Sequence, residues 1–327
     1  MSVLVTGVAG FIGYHLAEAL LAAGCPVVGI DNLNDYYDVA LKRARLERLQ
    51  ARRDFAFHCI DVADPAALDA VISGAPGLES VVHLAAQAGV RYSLTAPMTY
   101  VHSNMAGHVA VLEACRRIEG LRHIVYASSS SVYGRNVKQP FAVGDRTDSP
   151  VSLYGASKKT QEVIAEAYAS IYHLPLTGLR FFTVYGPWGR PDMALFMFTQ
   201  GILAGTPIPV FNRGKMRRDF TYVDDIVTGI IAAIDRPPST AKGVPSHQIY
   251  NLGNHRSVAL LDFIAVLEKA LDRPAVLDLL PMQAGDVTAT YADIETSRRD
   301  LGFEPTTPIE DGIPRFVAWY RDYYGVQ

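Results

Sequence analysis

The sequence has few cysteines, no long hydrophobic run and no block of like charges. Its three cysteines, Cys25, Cys59 and Cys115, are scattered and lack the spacing of metal ligands. This pattern excludes a disulfide framework and predicts reduced thiols in a cytoplasmic protein that binds no metal. No apolar run reaches the length of about 18 residues that suggests a membrane span. The first predicted strand begins at residue 3, so we also expect no signal peptide.

Charge and composition narrow the function further. The sequence has 30 basic and 33 acidic residues and a formal net charge of −3, which lacks the basic excess of nucleic-acid-binding proteins. Hydrophobic residues make up 49% of the 327 positions, enough for one large core or two unequal ones. Internal repeats and low-complexity tracts are absent from the sequence. This composition is typical of a soluble enzyme.

A glycine-rich turn follows the first apolar segment. Residues 3–5 predict a buried parallel strand, and Gly7, Gly10 and Gly13 follow at three-residue spacing. Such glycines allow a tight turn, close approach of the backbone to a pyrophosphate, and close packing of the next helix. That helix, predicted from Phe11 through Ile12 to residue 21, would bind phosphate with its free amides. A glycine turn without a ligand is the alternative interpretation.

Asp31 lies at the end of the second predicted strand, about 20 positions beyond the glycines, where an acidic residue binds the adenosine ribose. A carboxylate there repels a 2′-phosphate, so the sequence favours NAD over NADP, with Asn32 beside it. The third predicted strand ends at Asp61 and Val62, near the expected adenine. The fourth carries Leu84, Ala85 and Ala86 toward the centre of the cofactor.

Strand and helix signals alternate and predict an α/β protein with a Rossmann-type doubly wound parallel sheet and a second, smaller α/β domain for the substrate. Residues 1–185 form the predicted NAD-binding domain, to which 223–251 return. Residues 186–222 and 252–327 form the predicted UDP-sugar-binding domain. The predicted elements of the first half are strands at 55–60, 80–86, 124–127 and 176–182 and helices at 65–72, 98–118 and 154–172. Later helices are predicted at 223–235, 258–271, 294–301 and 309–324, with a strand at 249–251.

Tyr154 and Lys158 are one helical turn apart, on the same predicted helix face. A phenol has an ordinary pKa near 10 and is a poor base at neutral pH. A nearby lysine cation and a nicotinamide cation would favour the phenolate. Because the chain has 17 tyrosines, this spacing alone arises readily by chance, so the argument depends on the dinucleotide-binding context.

A cluster of four cations between Arg213 and Arg218 precedes an apolar segment. Such clusters are usually solvated loops. Here the return to an apolar segment predicts that Arg218, and less clearly Arg217, faces a diphosphate in a cleft between the domains.

Beyond these patterns, the whole chain resembles the extended short-chain dehydrogenase/reductases, most closely the UDP-glucuronate 4-epimerases. The similar segments are Asp31–Asp38, Ala85–Ser93, Arg180–Met193, Lys215–Phe220 and Met282–Val287. The first and third are distinctive of uronate epimerases. Many relatives have threonine where this chain has Ser129 and proline where it has Ala284, which changes neither the hydroxyl chemistry nor the assignment.

This resemblance implies a reversible inversion at C4 of UDP-glucuronate, giving UDP-galacturonate through a transient 4-keto sugar. Tyr154 would take the proton from the 4-hydroxyl, Ser129 would share it, and Lys158 would bind the nicotinamide ribose. NAD would stay bound, with Asp61, Val62 and Asn104 among its contacts. The remaining implied positions are Arg218 and Asp286 for UDP and Ser130, Ser131, Thr183 and Arg190 for the sugar carboxylate.

The carboxylate matters because the 4-keto intermediate is a β-keto acid, which loses carbon dioxide readily. Arg190 would supply a charge and the hydroxyls would fix the plane of the acid. A solvated loop arginine is the alternative for Arg190. Two related groups of enzymes, the UDP-glucuronate decarboxylases and the nucleotide-sugar 4,6-dehydratases, also oxidise C4 but form other products. Both usually have Glu where this chain has Ser131, and the dehydratases have Asp where it has Ser130.

Three other functions remain open. A UDP-glucuronate decarboxylase shares the first step and is the main competitor. A 4,6-dehydratase needs a base for C5, which serines do not supply. A non-catalytic NAD-sensing module would not require Tyr154 or Lys158. The resemblance also implies a homodimer that pairs the helices at 98–118 and 154–172.

Overall fold

The computed structural model describes residues 2–75, 77–239, 246–283 and 285–326. Ala284, in one of the segments that carry the resemblance, lies outside the described residues.

A parallel sheet built mainly from the first half of the chain positions the site. Its strands are short apolar segments, and proline, glycine or aspartate marks several of the turns between them, as at Asp64–Pro65, where the Asp64 side chain caps the helix that follows. The elements up to residue 100 are β1 (Ser2–Thr6), α1 (Phe11–Ala22), β2 (Val27–Asp31), α2 (Val39–Gln50), β3 (Phe55–Cys59), α3 (Pro65–Ser73), β4 (Leu78–His83), α4 (Tyr92–Thr95) and α5 (Pro97–Tyr100). A π-helical segment (Val101–Ala106) leads into α6 (Gly107–Cys115), β5 (His123–Ser129), α7 (Leu153–Tyr172) and β6 (Leu176–Phe181).

The second half adds shorter elements. They are β7 (Thr183–Tyr185), α8 (Ala194–Ala204), β8 (Ile208–Val210), β9 (Arg217–Arg218), β10 (Phe220–Tyr222), α9 (Val223–Ile234), β11 (His247–Leu252), β12 (Val258–Ala259), α10 (Leu260–Leu271), β13 (Leu277–Leu279), α11 (Glu295–Leu301) and α12 (Ile309–Tyr324). Three two-stranded pairs, β7 with β10, β9 with β12 and β8 with β13, lie beside the main sheet in the described part of the chain.

Counted over the described residues, the main sheet has seven strands in the order β11-β6-β5-β4-β1-β2-β3, all parallel. The order reverses between β1 and β4, and doubly wound sheets bind ligands beyond the carboxyl ends of the strands at this point. The predicted α/β class and doubly wound sheet are therefore confirmed. Consistent with the predicted return of 223–251, β11 extends the sheet beside β6 and α9 packs on α1. The domain limits stay a prediction.

Several predicted elements differ from the structure. The helix predicted at 98–118 is divided into α5, the π-helical segment and α6. The strand predicted to reach residue 86 ends at His83, because the chain leaves the sheet there to line a cavity. Helices α2 and α8 were not predicted. In α2, the polar residues Lys42 and Arg45 are buried, so its apolar pattern has no clear helical period. In α8, apolar residues occupy almost every position.

A buried ion pair joins α7 to the sheet. The guanidinium of Arg180 on β6 donates from Nε and Nη2 to the two carboxylate oxygens of Glu162 on α7, at 2.7 and 2.9 Å. Both side chains are at most 3% exposed. Burial opposes ionisation of Glu162, but the bonds and charge of Arg180 outweigh it and lower the pKa. The Ser128 hydroxyl donates to the same carboxylate at 2.7 Å.

Replacing Arg180 with methionine should destabilise the fold by about 3–5 kcal/mol, because it leaves the Glu162 carboxylate buried without its partner. Urea unfolding measures this loss. The control is Arg299→Met, which removes the exposed pair with Asp300 and should change the unfolding midpoint little. Equal midpoints for the two variants would contradict the structural role of the buried pair.

Candidate active site

A cavity opens at the carboxyl ends of β1, β2, β4 and β5, where the sheet order reverses. Its walls come from the glycine turn, the ends of the strands, and α7. The predicted site residues that line it are Gly7, Gly10, Phe11, Ile12, Gly13, Asp31, Asn32, Asp61, Val62, Leu84, Ala85, Ala86, Ser129, Tyr154, Lys158 and Arg190. Residues far apart in sequence therefore meet at one surface.

The glycine turn leaves room only for hydrogen at its key positions. Gly7 has a φ of +72°, in the left-handed region that favours glycine. A Cβ on Gly13 would lie 2.2 Å from the carbonyl oxygen of Gly7, and one on Gly10 would lie 2.9 Å from the same atom. Helix α1 begins directly after Gly10 without a side-chain cap. Its first amides thus face the cavity, as a bound pyrophosphate requires, and the turn fits a dinucleotide.

The Asp31 carboxylate is fixed by backbone amides. Ala9 donates to Oδ2 at 3.1 Å and Leu33 to Oδ1 at 2.8 Å. Burial raises the pKa of Asp31, and the nearby charge of Lys42 and these amide bonds oppose the shift. Lys42, which the sequence analysis did not identify, also lines the cavity and donates to the backbone and side-chain oxygens of Asn34, both at 2.7 Å. Asp31 therefore presents a fixed acceptor, as ribose hydroxyls need.

At the far end of the cavity, Asp61 accepts from the Ala63 amide at 2.8 Å. Nε2 of His102 lies 3.2 Å from its Oδ2, and Asn32 donates to it at 3.4 Å. Burial opposes ionisation of Asp61, but these bonds outweigh it and lower its pKa. The carboxylate thus remains ionised, suited to accept from an adenine amino group.

Tyr154, Lys158 and Ser129 meet where α7 crosses the end of β5. The Ser152 hydroxyl accepts from the Gly155 amide at 3.0 Å and starts the helix just before Tyr154. Burial raises the pKa of Tyr154, while a hydrogen bond with Ser129 and the charge of Arg190 oppose the rise.

Lys158 lines the cavity together with Tyr154 and is held against the sheet. Its Nζ donates to the Ala127 carbonyl oxygen on β5 at 2.8 Å, and burial lowers its pKa to about 7. The protein groups that lower the pKa of Tyr154 are Ser129 and Arg190. The lysine is thus held against the strand, where a cofactor ribose would reach it.

Arg190 lines the cavity but is already paired. Its Nε donates to Oδ1 of Asp192 at 3.0 Å and its Nη2 to Oδ2 at 2.5 Å. The hydroxyl of Tyr36 donates to the same Oδ2 at 3.0 Å. Burial disfavours the Arg190 cation, but Asp192 outweighs it and raises the pKa. Arg190 is therefore a charged side wall of the cavity and not a solvated loop residue.

Asn104 is bonded to the loop that follows β4. It is fully buried, and its amide is used inside the protein: Oδ1 accepts from the Gln87 amide at 2.7 Å, and Nδ2 donates to the Gln87 carbonyl oxygen and the Ser157 hydroxyl. These bonds hold the loop after β4, and the cofactor contact of Asn104 stays a prediction.

The other five predicted substrate residues are not among those that line this cavity. Ser130 and Ser131 begin a short 3₁₀ turn directly after β5, and Thr183 lines a small apolar pocket shared with Arg190. Arg218 and Asp286 lie further out, close enough for their charges to interact. Arg91, within the similar segment Ala85–Ser93, lies 3.7 Å from the Asp286 carboxylate.

Comparisons with known proteins agree with this geometry. The sequence profile of the NAD dependent epimerase/dehydratase family matches residues 3–253. UDP-glucuronate 4-epimerase 3 of Arabidopsis thaliana is 48% identical, over 99% of this chain and 77% of its own length. A probable UDP-glucuronate 4-epimerase of Rhizobium meliloti is 45% identical, over 99% and 98%.

Among solved structures, the UDP-glucuronic acid 4-epimerase of Bacillus cereus, in complex with UDP-glucuronic acid and NAD, superposes with a TM-score of 0.91. It is 34% identical to this chain, over 99% of this chain and 100% of its own.

Replacing Gly13 with alanine should weaken dinucleotide binding by about tenfold or more, a loss of at least about 1.4 kcal/mol, because the added methyl displaces the Gly7 carbonyl. Calorimetric titration with NAD measures the affinity. Gly144→Ala is the matched control, since its Cβ would meet nothing within 4 Å. Wild-type affinity in the Gly13 variant would show that the turn does not hold the dinucleotide.

Lys158→Met should stabilise the protein most at low pH. The native pKa of Lys158 is about 7 and its ordinary value is 10.5. Between these values the unfolded state binds more protons than the native state, so the wild-type contribution of this group to stability rises with pH. The stability advantage of the variant should therefore be largest near pH 6 and shrink toward about pH 10. Urea unfolding across this range tests it, with exposed Lys269→Met as control; a pH-independent difference would refute it.

Proposed function

The chain belongs to the NAD dependent epimerase/dehydratase family, and we propose that it interconverts UDP-glucuronate and UDP-galacturonate by inverting C4 of the sugar. The observation that carries this function is the meeting of Tyr154, Ser129 and Lys158 with the charged Arg190 at one dinucleotide-binding cavity. The 4-epimerase relatives in organisms as distant as Arabidopsis thaliana and Rhizobium meliloti support it.

Bound NAD would supply reversible hydride exchange with C4 of the sugar, and the residues that would hold it line the cavity. The glycine turn and the first amides of α1 hold its pyrophosphate. Asp31 accepts from the adenosine ribose hydroxyls, Asp61 lies at the adenine, and Lys158 donates to the nicotinamide ribose. Val62, Leu84, Ala85 and Ala86 complete the apolar walls.

Tyr154 removes the proton of the 4-hydroxyl, and Ser129 donates to the same oxygen. Because burial alone raises the pKa of Tyr154, the phenolate requires nearby positive charge. Arg190 supplies part of that charge from the protein, and the oxidised nicotinamide ring adds to it. These roles are those that the family resemblance implies, except that Arg190 both binds the sugar carboxylate and stabilises the Tyr154 phenolate.

The carboxylate of the sugar binds at the wall formed by Arg190, Thr183, Ser130 and Ser131. A charge-assisted hydrogen bond contributes about 1.5–3 kcal/mol, so Arg190 and two hydroxyls suffice to favour a uronate over a neutral hexose. Arg218 and Asp286 bind the UDP portion, which extends away from the nicotinamide.

A UDP-glucuronate decarboxylase is the second candidate, since it shares C4 oxidation. Ser130 and Ser131 stand where the decarboxylating and dehydrating relatives have acidic residues, which favours epimerisation. A non-catalytic NAD-sensing module has no use for a tyrosine bonded to Ser129 in the same cavity.

We extend the proposal to assembly and location. A homodimer would pair the helices at 98–118 and 154–172 of two chains, and apolar side chains exposed there support this: Met98, Val163 and Ile171 are 57–71% exposed. In the described residues no helix has the length and hydrophobicity needed to cross a bilayer. The proposed cytoplasmic location rests on the small number and scattered spacing of the cysteines.

Purified protein incubated with UDP-glucuronate, without added NAD, should form UDP-galacturonate and little UDP-pentose. Tyr154→Phe should lower kcat by about 100- to 10,000-fold, because the proton acceptor is lost. Chromatography of the nucleotide sugars measures both. A control, Tyr324→Phe on α12, should retain wild-type turnover. Undiminished C4 inversion in the Tyr154 variant would contradict the mechanism, and UDP-pentose as the main product would indicate the decarboxylase.

A further inference from the structure

Arg190 does not face the cavity as a free cation. Two of its nitrogens, Nε and Nη2, are committed to the carboxylate of Asp192. The third is Nη1; Arg190 lines the cavity, and its cation lies close enough to the Tyr36 hydroxyl to oppose the rise in the pKa of that group. The guanidinium is planar and rigid, so fixing two nitrogens also fixes the direction of the third. A ligand in the cavity therefore meets the remaining N–H donors in a set orientation.

Tyr36 fixes the other partner of this pair. Its hydroxyl donates to Oδ2 of Asp192 across 156 positions of sequence, and its ring packs against Tyr92 at 4.7 Å between centroids. Burial and the charge of Asp192 raise the pKa of Tyr36 to about 12, so it remains a donor at neutral pH. A Cβ on Gly89 would lie 2.5 Å from this hydroxyl, so glycine leaves the space that it occupies.

A second contact holds the backbone on which Arg190 stands. Arg45 is fully buried on α2, and its Nη1 donates to the Ala9 carbonyl oxygen in the glycine turn and to the Tyr37 hydroxyl, both at 2.8 Å. Its Nη2 donates to the carbonyl oxygen of Trp188 at 2.6 Å. The segment at 188–192 is thus anchored to the loop at 36–37 from two sides, and Arg190 has little freedom to turn.

We propose that Asp192 and Tyr36 are positioning residues that aim Arg190 and thereby hold the sugar carboxylate in the one orientation from which carbon dioxide is not lost. This inference rests on the proposed function and adds two residues to it. Arg190 touches the substrate; Asp192 and Tyr36 act through it.

The chemistry explains why orientation matters more than charge. In the 4-keto intermediate, loss of carbon dioxide breaks the C5–C6 bond, and its electron pair passes to C5 and the 4-oxygen as an enolate. This step is fastest when the C5–C6 bond lies parallel to the π orbital of the ketone. The enolate then takes a proton at C5 to give UDP-4-keto-pentose, and the hydride stays on NADH. Each decarboxylation therefore leaves one NADH, which epimerisation does not.

Asp192→Asn keeps the size of the side chain and removes its charge. Arg190 can then turn and bind the carboxylate with two nitrogens, so KM should change by less than about threefold. The reacting geometry is lost, and a misplacement of about 1 Å lowers kcat by up to about 100-fold. We therefore expect kcat to fall by about tenfold to 100-fold. The share of turnovers that yields UDP-4-keto-pentose and NADH should rise by about tenfold.

Tyr36→Phe removes only the hydroxyl that orients Asp192 and should produce the same changes to a smaller extent. Tyr92→Phe is the matched control, because its ring packs on Tyr36 but its hydroxyl forms no bond to Asp192 in the described part of the chain. Asp192→Glu, which restores the carboxylate, should recover part of the wild-type product ratio. Product analysis and NADH absorbance provide the readouts, with thermal unfolding of each variant alongside.

The outcomes separate the two proposals. Wild-type protein that forms no UDP-galacturonate overturns the proposed function and this inference with it. Wild-type epimerase activity combined with an unchanged product ratio and kcat in both Asp192→Asn and Tyr36→Phe overturns this inference alone. A rise in KM with an unchanged product ratio also overturns it, since that result would assign Asp192 to binding strength. If Asp192→Asn fails to fold, Tyr36→Phe decides, because its ring packing is intact.

Discussion

The site depends on the buried ion pair between Arg180 and Glu162, which joins the helix of Tyr154 and Lys158 to the sheet. A buried pair contributes little net stability, because desolvation offsets much of its attraction. It does fix geometry, since both carboxylate oxygens accept from one planar guanidinium. Ser128, next to Ser129, donates to the same carboxylate. The strand end that carries Ser129 and the helix that carries Tyr154 are therefore positioned by one group.

Burial at this site disfavours charged groups and strengthens the electrostatic effect of each charge that remains. The pKa of Lys158 falls to about 7 and that of Tyr154 rises, both because of burial. In such an environment a single cation shifts a proton equilibrium more than it would in water. Arg190 is stabilised as a cation by Asp192, so it can influence Tyr154 while its own protonation stays fixed. The positive charge of the bound cofactor adds to the electrostatic potential that Arg190 already produces at Tyr154.

The sequence was sufficient for features that depend on local spacing. The glycine turn, Asp31 and the Tyr154–Lys158 helix follow from periodicity and turn chemistry, and each lies at the predicted cavity. It was insufficient where distant side chains meet. The Tyr36–Asp192 contact spans 156 positions, and Arg45 reaches Trp188 across 143. The local sequence indicates neither contact. Arg45 and Lys42 interrupt the apolar period of α2, and the sequence around Asp192 is that of an ordinary acidic loop residue. The adjacent tyrosines at 36–37 were the feature of the sequence that could have indicated these contacts.

The buried Arg45 has a consequence for protein engineering. Its cation is solvated by the carbonyl oxygens of Ala9 and Trp188 and the hydroxyl of Tyr37, so three loops share one internal anchor. Loop grafting that exchanges only residues 186–193 for those of a relative with another sugar preference would detach the graft from this anchor and disturb the nucleotide end of the cavity as well. The natural unit of exchange is the segment at 186–193 together with residues 32–50, a module that is discontinuous in sequence but mechanically one piece.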